Sequence, residues 1–146
     1  MHSKAKLILF LLALFVFGCN SISENEKIIY VSEKDGNPEI YSMENNGSEI
    51  QRITNSSRSE ENPKLSKDGS YLGFLISKND IKELHIIEMN NNNKQLQISD
   101  KELDVEDFFW SPDSKKLTFK AKDNQGNHDI YLYNLEKELT NKVTNT

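Results

Sequence analysis

The chain has 146 residues, with 18 Lys and Arg against 23 Asp and Glu and a formal charge of −5 at pH 7. Both signs are mixed along its length with no basic cluster, which excludes nucleic acid as a partner. A single cysteine excludes an internal disulfide, and 36% hydrophobic residues suffice for a thin-layered domain rather than a large core.

The N-terminal segment is set apart from the rest. Lys4 and Lys6 precede the apolar run Leu7 to Phe17, which ends at Gly18-Cys19. A basic start, a short apolar stretch and a small residue before a cut is the plan of a secretory signal. Spanning a bilayer takes about 20 apolar residues, more than this run provides. Residues 1–18 are therefore expected to be a cleaved signal peptide, and the remainder is more acidic for the loss of two lysines. Val16, Gly18 and Cys19 resemble the lipobox of bacterial lipoproteins, although Phe17 is bulkier than the usual residue there. That resemblance implies that Cys19 is acylated and becomes residue one. Acyl chains contribute about 0.8 kcal/mol per buried CH₂, so a multiply acylated cysteine anchors a protein stably. Residues 19–26 then read as the lipidated cysteine and an aperiodic tether.

From residue 27 onward the chain repeats itself. Ile28-Ile-Tyr-Val-Ser32, Glu39-Ile-Tyr-Ser-Met43 and Glu49-Ile-Gln-Arg-Ile-Thr54 reappear as Tyr71 to Ser77, Glu83 to Ile87 and Gln95 to Ser99. They appear again as Lys116 to Ala121, Asp129 to Tyr133 and Asn141 to Thr144. Tyr30 and Phe74 are 44 residues apart, and Phe74 and Phe119 are 45 apart. A further strand precedes the second and third copies, Glu61 to Ser66 and Glu106 to Ser111, with Leu65 and Trp110 again 45 apart. A fixed period of 40 to 50 residues is the signature of a propeller. Each copy holds short segments rich in β-branched and aromatic residues, divided by turn chemistry such as Asp68-Gly69, Asp35-Gly36-Asn37-Pro38 and Asn45-Asn-Gly47. Leu117, Phe119 and Ala121 alternate with Thr118, Lys120 and Lys122, so one face packs between blades.

The predicted fold is all-β: three four-stranded antiparallel blades at about 27–56, 61–100 and 106–146, the first lacking its innermost strand, and eleven strands in total. Phe109-Trp-Ser-Pro-Asp113, Leu65-Ser-Lys-Asp-Gly69, Ile40-Tyr41, Ile130-Tyr131, Ile53-Thr54 and Val143-Thr144 resemble the TolB-type, WD40-like propeller repeat, with Ser114 where that family has glycine. The resemblance covers residues 27–146 and implies a partial, open propeller. Three blades do not close a ring, so the outer flanks of blades one and three are expected to be apolar and exposed. A truncated gene product, a homodimer completing a six-bladed ring, and an open wedge completed by another protein each account for the count.

Chemistry is scarce. His85 stands at the register of Tyr41 and Tyr131 and reads as a packing residue; His128 reads as a solvated turn residue. No Cys/His spacing suits zinc, and there is neither a nucleophile elbow nor a Gly-rich phosphate loop. Asp123 to Asp129 places oxygen ligands around a glycine but reads better as a hairpin turn than as a calcium loop. Glu102, Asp104, Glu106 and Asp107 read as a solvated connection rather than as paired catalytic carboxylates. No catalytic residue, metal or cofactor is expected. The predicted function is a membrane-anchored, protein-binding or scaffolding propeller of the bacterial cell envelope, with unidentified envelope proteins as partners. The alternative is a fragment or accessory propeller of a hydrolase, peptidase or polysaccharide lyase.

Overall fold

Alternating apolar residues divided by Gly, Asn and Asp turns leave each repeat one solution, a small antiparallel meander with two apolar faces. A computed structural model describes residues 27–91 and 93–145 and shows three such sheets. The signal peptide, Cys19 and the tether lie outside the described residues. Blade 1 comprises β1 (Lys27–Ser32), β2 (Glu39–Glu44) and β3 (Gln51–Arg52). Blade 2 comprises β4 (Ser59–Leu65), β5 (Tyr71–Lys78), β6 (Ile81–Glu88) and β7 (Lys94–Gln97). Blade 3 comprises β8 (Asp104–Trp110), β9 (Lys116–Lys122), β10 (His128–Asn134) and β11 (Leu139–Lys142). Strand order follows the sequence in each sheet, and every pairing is antiparallel. Among the described residues, eleven strands and a three-stranded blade 1 agree with the repeat.

Register repeats as faithfully as sequence. Tyr30 faces Tyr41, Phe74 faces His85, and Phe119 faces Tyr131 across the same two strands of successive blades. Their ring centroids lie 5.7, 6.0 and 5.1 Å apart, within the range that favours stacked aromatic pairs.

Two apolar seams hold the blades together. Ile29, Ile40 and Ile53 of blade 1 pack on Leu72, Phe74, Ile76 and Ile87 of blade 2. Leu75, Leu84 and Ile86 on the other face of blade 2 pack on Phe108, Leu117, Phe119 and Tyr131 of blade 3. The backbone of β5 comes so close to blade 3 that a Cβ on Gly73 would lie 2.7 Å from the Phe108 ring.

The turn and closing motifs have a structural meaning. In blades 2 and 3 the Ser-x-Asp turn is the same network: Ser66 Oγ donates to Asp68 Oδ1 and accepts from Tyr71 N, as Ser111 Oγ does with Asp113 and Lys116 N. These bonds hold the Asp68 carboxyl at about 2, Ser66 contributing most. At the closing strands, Thr54, Ser99 and Thr144 each accept the backbone N–H of Ile40, Leu84 and Ile130 through the side-chain hydroxyl. A hydroxyl there takes the place of a ladder carbonyl, so β3 and β7 end before the residues the repeat assigned to them.

Two expectations are corrected. Asp104, Glu106 and Asp107 do not lie in a solvated connection, because β8 starts at Asp104 and holds all three in the innermost strand of blade 3. His128 is not a free turn residue; it opens β10, and its Nδ1 meets a Glu106 carboxylate oxygen across blade 3.

Candidate functional site

Near their starts, β2, β6 and β10 carry an acid at the same repeat position, Glu39, Glu83 and Asp129, and all three are buried. A buried carboxylate needs a cation or several donors. Arg52 on β3 donates to Glu39 Oε1 at 2.7 Å, and Lys142, its counterpart on β11, lies 2.6 Å from Asp129. Gln97 takes that register in blade 2, and Glu83 is served instead by Arg58 at 3.2 Å and Lys78 at 3.9 Å. His85 Nε2 lies 3.2 Å from Glu83, and Gln95 Nε2 lies 3.1 Å from His85 Nδ1. Satisfying both puts the hydrogen on Nε2 of a neutral imidazole, and burial holds its pKa below the usual value. His85 is thus a packing residue, as its register implies, and also a hydrogen-bond partner of the buried acid.

A second acid joins the row at the seam between blades 1 and 2. Glu60 on β4 is buried, and Ser56 spans the gap: its N–H donates to Glu39 Oε1 at 2.8 Å and its hydroxyl to Glu60 Oε1 at 2.5 Å. Desolvation raises both carboxyls. At Glu39, bonds from Thr54, Ser56 and Arg52 outweigh it and bring the pKa to about 2, whereas Glu60 is pushed up to about 7. Two carboxyls of unlike proton affinity are the ingredients of acid–base chemistry, but both side chains are buried.

The innermost strands form a joined inner wall. Lys64 Nζ on β4 reaches Asp107 Oδ1 at 2.6 Å and the Phe108 carbonyl at 2.7 Å, and stands 4.2 Å from the centroid of Phe109. Trp110 Nε1 donates to the Lys64 carbonyl at 2.9 Å. Of the four acids read as one cluster, Asp107 is taken by Lys64 and Asn62, Glu106 by Lys120 and His128, and Asp104 by the Lys82 amide. They point to different partners and do not converge. Glu102 borders an open recess of about 590 Å³ with Lys101, Asp104, Lys122 and the Asp123 turn. Asp123 Oδ1 accepts the N–H groups of Gln125 and Asn127, so the carboxylate is turned into its own hairpin. Among the described residues no group of three or more His, Cys, Asp or Glu side chains could hold a metal ion.

The two outer flanks are unequal. Ile28, Tyr30 and Met43 share the free face of blade 1, where the corresponding Leu72, Phe74 and Ile87, and Leu117, Phe119 and Tyr133, are buried against a preceding blade. Ile28 is 41% exposed where Leu72 and Leu117 are 0%. The outer part of that face is covered, since Lys34 stands 4.3 Å over the Tyr41 ring and the Tyr41 hydroxyl donates to Asp35. On the free face of blade 3, Phe109, Ile130 and Val143 are exposed, but Lys120 and Thr118 occupy the places of Leu75 and Gly73. Both flanks therefore expose apolar side chains, that of blade 1 keeping the register of a buried face and that of blade 3 interrupting it with Lys120. The sequence reading missed the buried acid row; its only signal was an acid at one position in all three copies.

No protein-family model matches the chain. A curated relative, a TolB homologue of Chlorobium chlorochromatii strain CaD3, is 25% identical over 132 residues, which are 90% of this chain and 29% of that protein. The chain thus spans less than a third of the relative's length. TolB from Acinetobacter baumannii superposes with a TM-score of 0.67 at 20% identity, over 83% of this chain and 30% of that one. An oligogalacturonate lyase from Vibrio parahaemolyticus superposes with a TM-score of 0.64 at 14% identity, over 81% of this chain and 36% of that one. The fold is that of a TolB-like β-propeller, of which the described residues supply three blades that do not close.

Proposed function

We propose that this TolB-like propeller is a lipid-anchored, protein-binding module of the bacterial cell envelope, engaging its partners through the open side of blade 1. The observation that carries the reading is the contrast along one repeat register: Ile28 is exposed and Tyr30 and Met43 are only half-buried, whereas their counterparts in blades 2 and 3 are buried by the blade before them. Exposed apolar surface on a rigid scaffold is the ordinary form of a docking site. Among the described residues no strand pairs with the outer edge of β1, at the place where β5 and β9 hydrogen-bond to an innermost strand, a setting for strand addition. The repeat supports an envelope role through its likeness to TolB, and the Val16 to Cys19 segment supports the anchor.

A partner that completes the ring is either envelope protein or a second copy of this chain. Capture from envelope extract, together with the solution mass of the delipidated protein, separates the two. The reading expects a specific co-purifying protein or a dimer, either one lost in Ile28→Asp. A protein that stays monomeric and captures nothing beyond the Ile28→Asp control overturns it.

The likeness to an oligogalacturonate lyase supports the alternative of an accessory propeller of a lyase or hydrolase. Against it stands the buried acid row, in which Glu39, Glu83 and Asp129 are each paired with an internal cation. Retention of the protein on a polygalacturonate column, absent from an uncharged polysaccharide column, would favour the alternative.

A further inference from the structure

The acid row is not uniform, and its departure lies at one seam. Glu60 occupies the repeat position of Val105, and Ser56 that of Lys101, so the seam between blades 2 and 3 has an aliphatic side chain where the seam between blades 1 and 2 has a second carboxyl. Glu39 and Glu60 are 0% and 1% exposed, and Ser56 bonds to both. Each keeps one buried carboxyl oxygen, Glu39 Oε2 and Glu60 Oε2, that accepts no hydrogen bond from any described residue. Two ionised carboxylates cannot lie side by side in such a place; a single proton between them removes the repulsion and gives the orphaned oxygens a donor and an acceptor.

We propose that Glu39 and Glu60 form a carboxyl–carboxylate pair sharing one proton, and that this proton closes the seam between blades 1 and 2. The charged surroundings decide which acid carries it. Glu39 Oε1 receives Arg52, Asn37 and the Ser56 amide, and Arg52 in turn lies 3.4 Å from Asp35, which is bonded to Tyr41. Arg58, the cation nearest Glu60, is engaged with Glu83, which also takes Lys78 and His85. Glu60 is left with a hydroxyl as donor, so Glu60 is the neutral member. Its folded pKa stands above the ordinary carboxyl value, so the native state holds a proton that the unfolded chain has released. The resulting stability is complete below the unfolded value of 4.5 and is lost as pH rises through about 7. Ser56 and Arg58 lie in the same connection, and loss of the proton therefore loosens the loop face of blade 1 at neutral to alkaline pH.

The test is urea unfolding of the full chain and of Glu60→Gln at intervals from pH 5 to pH 8. Glu60→Gln keeps the size and a donor but cannot titrate. Its unfolding constant relative to the unmodified protein is expected to fall roughly 100-fold across that range. Comparing the two cancels the opposite slope contributed by His85, which both contain. A ratio that does not change with pH overturns the proposal. If Glu60→Gln does not fold, Glu60→Val, which installs the residue of blade 3, takes its place with the same expected ratio. Carbon-detected NMR titration of the glutamate carboxyls in the unmodified protein gives an independent reading: one resonance titrating near 7 is expected, and all glutamates titrating in the ordinary range overturns it.

Discussion

Gly73 is set by distance, not by turn geometry. A methyl group there meets the buried Phe108 ring at 2.7 Å and approaches the Trp110 indole at 3.4 Å, so the two blades cannot keep their spacing. Overpacking of this kind costs about 1–3 kcal/mol. Gly73→Ala is expected to lower the urea midpoint accordingly, with an unchanged slope; a midpoint equal to that of the unmodified protein would show that Phe108 yields freely. Ser114 is the opposite case. It holds a left-handed backbone, φ 59°, at the position where blade 2 has Gly69, and its hydroxyl accepts the Asp68 amide of the neighbouring blade at 3.1 Å. The strain of a non-glycine residue is offset by a bond that ties two turns together.

Along the elements, the closing Thr or Ser decides how each blade ends. Thr54 Oγ1 accepts Ile40 N at 2.8 Å and is buried with it. Removing the hydroxyl leaves a buried N–H without an acceptor, which costs about 1–3 kcal/mol. Thr54→Val is therefore expected to destabilise the protein by that amount and Thr54→Ser by little, as Ser99 does the same work in blade 2. Thermal or urea unfolding of the two variants checks this, and equal losses would mean that the threonine methyl matters rather than the hydroxyl. The innermost strands are bound side by side by Lys64, whose ammonium joins Asp107 and the Phe108 carbonyl, so β4 and β8 act as one wall.

At the scale of the whole molecule, the three described blades leave two unlike flanks. The flank of blade 1 retains the apolar register of a buried face, and that of blade 3 exchanges Leu75 for Lys120, held by Glu106 at 2.5 Å. Lys120 and Thr118 stand there among the exposed Phe109, Ile130 and Val143, so the two ends of the stack suit different neighbours. The proposed anchor is tested at this scale as well. In a bacterial host, Cys19→Ser is expected to move the protein from the membrane to the soluble fraction and to abolish incorporation of labelled fatty acid; unchanged fractionation would remove the lipid from the proposed function.

The sequence by itself determined the repeat, the eleven strands of the described residues with three of them in blade 1, the buried face of Leu117, Phe119 and Ala121, and the packing role of His85. All of these are local or periodic: a two-residue alternation and a 45-residue period are visible without knowing which blade meets which. Only the tertiary structure decided the fate of the charged groups. Asp104, Glu106 and Asp107 read as a solvated run because adjacent acids look alike in sequence, yet β8 sends them to Lys82, Lys120 and Lys64 on other strands. His128 finds Glu106, and Ser56 joins Glu39 to Glu60, across separations that no local pattern encodes. A carboxyl is a surface group or a buried, proton-holding one according to the face that closes over it, and that is settled only when the blades pack.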